Sequence, residues 1–363
     1  MKLIHCADIH LHSSLNTHFS VQQAKERNGE LLSSFINMVE YGSRHGVSVI
    51  LIAGDLFDTA SIPQSLQNSL ITVIRSHPDM TFFYLRGNHD ENQMLDGRWQ
   101  QLDHLHGFES DVWTTYRIPL KEHSLTITGM ELSDHSAFDN LQLKTEDINI
   151  VMLHGQIRDY GKRDGCSIPL QKLMYRNIDY LALGHIHSYE QGLLKPAGTW
   201  CYSGSLEGRG FDEQGEHGFV MIDVNAEKRS VSSTFIPFAQ RKVHLIKVDV
   251  SACESKLEMV QKAKEMITPE MKNDMVRIVL CGNVDISFDT DIITMEKLLE
   301  DTCWYVEVKD ETKLIVNYEE YAKDRSLKGE FVRQVYEDPS LDSAMKAEII
   351  RCGIAALSGE DLL

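Results

Sequence analysis

Five apolar runs in this chain each end on a small cluster of oxygen and nitrogen donors, and that recurrence constrains the fold more than any other feature. The runs are 2–7, 47–53, 81–86, 148–153 and 179–183, which read as buried strands. The clusters that follow them are Asp8-Ile9-His10, Gly54-Asp55-Leu56-Phe57-Asp58, Gly87-Asn88-His89-Asp90, His154-Gly155 and Gly184-His185-Ile186-His187. Between the first two runs Leu31, Leu32, Phe35, Met38 and Val39 share one helical face. Pro63 is placed to open a second helix that runs to about Arg75. A β-α-β-α-β rhythm of this kind predicts an α/β domain with right-handed crossovers. In such sheets ligands bind at the carboxyl ends of the strands, which is where these donors fall.

No cluster contains a thiol. Carboxylate, amide and imidazole donors suit manganese, iron or zinc in a hydrolytic site better than a structural zinc. Two near-octahedral ions need about seven protein ligands once waters and a bridge are counted, and the clusters supply Asp8, His10, Asp55, Asn88, His154, His185 and His187. In extended backbone His185 and His187 project to one side, as do Asp8 and His10. Asp55 is the natural bridging carboxylate. Any one of these motifs alone reads first as a turn with solvated polar groups. Five in order, each at a strand end, do not.

Composition limits the class of substrate. The formal net charge of −18 is a poor footprint for a protein that coats nucleic acid non-specifically. Two divalent ions against Asp8, Asp55 and a bridging hydroxide nevertheless leave a local charge of roughly +1, which attracts a phosphodiester. The seven cysteines include no C-x-x-C pair, which suits buried thiols in a reducing compartment. The opening MKLIHCADIH lacks a signal-peptide pattern and no apolar run reaches membrane-spanning length, so a soluble cytoplasmic protein is expected.

Strand-like stretches at 218–224 and 231–237 close the first domain, and a boundary is expected near 239–242. Beyond it come a strand at 243–250, a helix at 254–267, a strand at 275–281, a helix at 291–300 and strands at 304–309 and 313–317. The expected division is 1–240, an α+β module over 241–325 and a helical tail over 326–363. In the tail Leu327, Phe331, Val332 and Val335, then Leu341, Met345, Ile349, Ile350, Ile354 and Leu357, fall at helical spacing. Asp342 or Ser340 is placed to cap the second tail helix, with Gly353 inside it.

The five clusters resemble those of the calcineurin-like metallophosphoesterases over roughly the first 210 residues. IHCADIHLHSS, GDLFDTASIP and YSGSLEGRG look like the SbcD-type DNA repair exonucleases, and the tail segments SLKGEFVRQVYED and AEIIRCGIAALSG look closest to the YhaO branch. The resemblance implies a four-layer α/β catalytic domain of two packed sheets flanked by helices, followed by the α+β module as a cap. It implies manganese, with Asp8, His10, Asp55 and His187 on one ion and Asp55, Asn88, His154 and His185 on the other. His89 would assist the leaving oxygen, with Asp90 orienting its ring. An SMC-like ATPase of the SbcC or YhaN kind is the implied partner, and a second copy of the chain is a further one. The tail stripe then either packs on the second domain or docks on that ATPase. His12 stands where many relatives have glycine, and Asp58 where archaeal and eukaryotic relatives often have histidine.

The expected function is in-line hydrolysis of DNA by a metal-bridging hydroxide, as an exonuclease or endonuclease in DNA repair. Arg86, Arg158, Lys162, Arg163 and Arg209, with His12 and Asp58, lie near the clusters and are candidates to meet substrate. Two alternatives stay open: a phosphodiesterase for cyclic nucleotides or other small diesters, and a DNA- or ATPase-binding subunit with weak catalysis.

Overall fold

The computed structural model describes residues 1–15, 19–59, 61–90, 97–133, 138–157, 167–285, 291–316 and 318–358. They divide into two compact units, Met1–Lys242 and Val243–Leu363. The first unit opens with β1 (Lys2–Cys6), α1 (Val21–Arg44), β2 (Val47–Ala53), α2 (Gln64–Arg75), β3 (Thr81–Leu85) and β4 (Leu105–Gly107). It continues through β5 (Thr114–Pro119), β6 (Ser124–Gly129), β7 (Ile148–His154), a short pair β8 (Gln156–Ile157) and β9 (Ser167–Ile168), and α3 (Leu170–Leu173). Then come β10 (Tyr180–Gly184), β11 (Glu190–Leu194), β12 (Gly198–Tyr202), β13 (Gly218–Asn225) and β14 (Ser230–Pro237).

Two six-stranded sheets result, ordered β14-β13-β1-β2-β3-β4 and β11-β12-β10-β7-β6-β5. The strands β1, β2 and β3 are mutually parallel, as are β6, β7, β10 and β12. Alternate side chains sort into layers. Leu3, Val49 and Leu51 meet Ile127, Ile150, Met152 and Ala182 in a core between the sheets. Their neighbours Ile4, Ile50 and Ile52 face outward onto Leu31 and Phe35 of α1 and Leu70 and Ile74 of α2. On the far side Val151, Leu153, Leu181 and Leu183 are covered by Leu170 and Leu173 of α3. This is the expected four-layer arrangement, with a thin fourth layer.

The five apolar runs are all central parallel strands, with ends that agree to within one residue. The strands β4, β5, β6, β11 and β12 had no counterpart in the sequence reading. Along β5 partly buried and exposed residues alternate, and β11 is mostly open to solvent, so neither forms an apolar run.

A buried ion pair ties this unit together. Arg27 of α1 is fully buried and donates to Glu207 at 2.8 Å and to the Gly208 carbonyl at 2.7 Å. Glu207 also accepts from the Ser34 hydroxyl at 2.6 Å and the Gln240 amide at 2.7 Å. Helix α1 is thereby locked to the segment after β12 and to the residues after β14.

The second unit contains β15 (Val243–Asp249), α4 (Lys256–Met266), β16 (Met275–Cys281), β17 (Asn283–Asp285), α5 (Ile292–Leu299), β18 (Tyr305–Asp310) and β19 (Lys313–Ile315). It ends with α6 (Tyr318–Lys323), α7 (Leu327–Glu337) and α8 (Ser343–Ser358). The parallel sheet β15-β16-β18 packs on Met259, Val260 and Ala263 of α4 and Met295 and Leu299 of α5. The tail folds into this unit. Val332 and Ile350 are buried together, with Val316, Tyr318, Tyr321, Phe331, Val335 and Ile354 around them. Asp342 accepts from the Met345 amide at 2.8 Å. A Cβ at Gly353 would run into the Phe331 ring, which explains a glycine inside α8. Leu327, Met345 and Leu357 of the same stripe stay exposed. Among the described residues no helix is long and apolar enough to cross a membrane.

Replacing Arg27 by Met should leave the Glu207 carboxylate buried without its cation, a loss of about 3–5 kcal/mol. Urea unfolding followed by tryptophan fluorescence would measure it; an unmoved midpoint would refute a stabilising role for the pair.

Candidate metal centre

The parallel pairing of β1 with β2 and β3, and of β7 with β10, brings the five clusters to the same end of the two sheets. Beyond the strand ends the first two loops stay coupled. Asp8 N–H donates to the Gly54 carbonyl at 3.0 Å, His10 to Asp55 at 3.0 Å and Leu11 to Leu56 at 2.9 Å. One ligand atom each from Asp8, His10 and His187 lies within 4.8 Å of the others, and the same holds for Asp8, Asp55 and His154. Asn88 Oδ1 is 3.0 Å from His154 Nε2 and 3.2 Å from His185 Nδ1. All seven candidate ligands therefore converge. Asp8, His10, Asp55 and His154 are buried, His185 and His187 are half-buried, and Asn88 is exposed.

The local backbone is unusual. Asp8, His10, Asp55 and His185 have φ of 51°, 50°, 50° and 98°, in the left-handed region that side-chain-bearing residues rarely adopt. These turns aim main-chain donors at the carboxylates. The His185 amide donates to both Asp8 oxygens at 2.9 Å, and the His89 amide donates to Asp55 Oδ1 at 2.9 Å. Gly54, at φ 97°, passes so close to His154 that a Cβ there would overlap its ring.

Three of the histidines are held from behind. His10 Nδ1 is 3.0 Å from Asp58, His187 Nδ1 is 2.6 Å from Glu213, and His154 Nδ1 is 3.0 Å from the Ala53 carbonyl. A proton held on each Nδ1 leaves the Nε2 lone pair free, the arrangement usual for metal-ligating histidines. His10 Nε2 and His187 Nε2 lie 3.3 Å apart and repel unless a proton or cation sits between them.

Burial pushes the Asp8 carboxyl up, against the pull of His154 and His187. Burial would also raise Asp55, but His154 and the His89 amide outweigh it and hold the carboxyl at about 2. The converse applies to His154: burial lowers it, yet Asp55 and Asp8 lift it to about 9. Buried carboxylates facing imidazole nitrogens, with oxygen and nitrogen donors only, fit divalent cations.

The remaining candidates take varied places. The exposed His89 ring has Nδ1 at 3.4 Å from Asp58. Asp90, expected to orient that ring, is buried and accepts from the amides of Leu56, Phe57 and Gly87 at 3.2, 2.9 and 3.0 Å. It staples the second loop to the third. Asp58 accepts from Ser13 at 2.6 Å, and despite partial burial its His10 and Ser13 donors hold it well below the usual carboxylate range. Arg86 is engaged by Glu131, with Nε at 2.7 Å. Arg209 reaches Glu213 at 3.2 Å and Asp58 at 3.5 Å. His12 is exposed. Arg158, Lys162 and Arg163 lie outside the described residues. Glu213 was missed from the sequence; its one signal there is the spacing of four from Arg209.

The model of the calcineurin-like phosphoesterase family matches residues 1–189. The chain is similar to the uncharacterized metallophosphoesterase YhaO of Bacillus subtilis, 26% identical over 62% of this chain. That match spans 57% of the relative's length. It is also similar to the SbcD component of the SbcCD nuclease of Staphylococcus saprophyticus, 24% identical over 72% of this chain and 76% of the relative. Among solved structures, a dimetal phosphatase from Danio rerio is 10% identical with a TM-score of 0.40, over 61% of this chain and 92% of that one.

Asp55→Asn removes the carboxylate that faces both His10, at 3.8 Å, and His154, at 3.3 Å. Both metal sites should weaken and hydrolysis should be lost. Elemental analysis and turnover under matched loading would test this; two metals at unchanged affinity with normal turnover would refute the bridging role.

Proposed function

The chain belongs to the calcineurin-like phosphoesterase family, and we propose that it is a metal-dependent phosphoester hydrolase whose substrate is the phosphodiester backbone of DNA. The observation that carries this reading is the convergence of Asp8, His10, Asp55, His154 and His187 from the two sheets, with the exposed His89 beside them. The family's dinuclear centre would be held by Asp8, His10, Asp55 and His187 on one ion and by Asp55, Asn88, His154 and His185 on the other. Bound there, divalent cations supply Lewis acidity and a water-derived nucleophile for in-line displacement at phosphorus. Oxygen and nitrogen donors without thiolate favour manganese, with iron or zinc as substitutes.

His89 acts on the leaving oxygen. Its amide is spent on Asp55, so the ring is carried by the loop that orients the Asp55 carboxylate. Asp58 steadies that ring, and Asp90 keeps the loops of Asp55 and His89 in register. With Arg86 and Arg209 engaged by acids, attraction for phosphate rests mainly on the cations.

The nuclease reading is supported by the likeness to a staphylococcal nuclease component and by a second unit lying wholly beyond the family match. We place the protein in cytoplasmic DNA repair, as the nuclease beside an SMC-like ATPase of the SbcC or YhaN kind. The exposed Leu327, Met345 and Leu357 are the surface offered to that partner.

Purified protein supplemented with manganese should degrade linear duplex or single-stranded DNA. Hydrolysis confined to cyclic nucleotides or a chromogenic diester would overturn the nuclease assignment in favour of a small-diester enzyme. On the preferred substrate, His89→Ala should retain both metals and lose roughly 10²-fold or more in turnover. Loss of metal would place His89 among the ligands, and an unchanged rate would remove it from the reaction.

A further inference from the structure

Arg209 and Glu213 lie beyond the residues that the family model matches, in the segment between β12 and β13. Glu213 Oε1 is 2.6 Å from His187 Nδ1, and its other oxygen accepts from the Arg209 amide at 2.9 Å. The Arg209 guanidinium lies 3.2 Å from Glu213 and 3.5 Å from Asp58, the carboxylate behind His10. One cation thus joins the two acids that hold His10 and His187 from behind. The segment itself is anchored. His217 is 2.9 Å from the Glu213 carbonyl and 2.9 Å from the Ser205 hydroxyl, and Glu207 is fixed by buried Arg27.

We propose that Glu213 and Arg209 are a positioning pair for one of the two cations, setting the tautomer and aim of His187 while tying it to His10. The proposal rests on the reading of His187 and His10 as metal ligands. Glu213 holds the proton on His187 Nδ1 and keeps Nε2 unprotonated and directed at His10 Nε2, 3.3 Å away. Arg209 has a second effect. Two further carboxylates this close to the centre would compete for its cations, and the guanidinium occupies the Asp58 and Glu213 oxygens instead. Arg209 therefore acts on the acids behind the ligands, not on substrate phosphate.

Glu213→Gln keeps the side-chain shape and removes the charge. Manganese titrated into the chelator-stripped full chain, followed by the electron paramagnetic resonance of free ion, should show one equivalent bound roughly 10- to 100-fold more weakly and the other unchanged. His187→Ala should weaken the same equivalent, and Arg209→Lys, which cannot bridge both acids in one plane, should do so to a smaller degree. Thermal unfolding of the metal-free proteins should be unmoved, which separates aiming of a ligand from general support of the fold. If His187→Ala weakens one equivalent while Glu213→Gln and Arg209→Lys leave both intact, the pairing is overturned and the metal reading stands. If His187→Ala itself binds both equivalents normally, the metal reading falls and takes the pairing with it. A Glu213→Gln protein that loses both equivalents together with its metal-free unfolding midpoint would overturn the pairing in favour of a structural role.

Discussion

The site depends on one electrostatic constraint. Asp8 and Asp55 are buried within one cluster with His154, where two carboxylates cannot both stay ionised without compensation. Everything around them supplies it. Main-chain amides of His185 and His89 point at their oxygens, and imidazoles face them from both sheets. Further out the sign alternates: imidazoles are held by Asp58 and Glu213, and those acids by Arg209. Divalent cations held in such a centre would present positive charge locally although the chain as a whole carries −18.

The fold makes the constraint soluble by geometry. Parallel strands that are central in both sheets deliver their loops to one end, so residues as distant as Asp8 and His187 meet without long connections. Packing the two sheets face to face adds the second requirement, that the loops of β1, β2 and β3 oppose those of β7 and β10. Buried Arg27 and Glu207 then fix the segment that carries Arg209 and Glu213.

What could be read from the sequence follows burial. Strands β1, β2, β3, β7 and β10 have nearly all their residues buried and so appear as apolar runs, whereas β5 and β11 have exposed faces that dilute the signal. The candidate ligands were legible because each follows such a run at once. Their supports were not. Glu213 lies 26 residues from His187, and Glu131 lies 45 from Arg86. Nothing in local spacing reports either contact. For Asp90 the family resemblance implies a role in orienting the His89 ring, and its carboxylate accepts from three backbone amides. The tail stripe was a true helical signal that divided between burial at Val332 and Ile350 and exposure at Leu327 and Met345.

Four of the nine left-handed residues other than glycine found among the described residues sit in this one place: Asp8, His10, Asp55 and His185. Each such backbone is disfavoured by about 1–3 kcal/mol. Glycine would relieve it and would erase a carboxylate or an imidazole in the same step. Selection for heat tolerance and selection for hydrolysis therefore oppose one another at these positions. A lineage moving to a hotter habitat has to gain its stability elsewhere, in the helices, the second unit or the outer strands, and to carry this strained rim through unchanged.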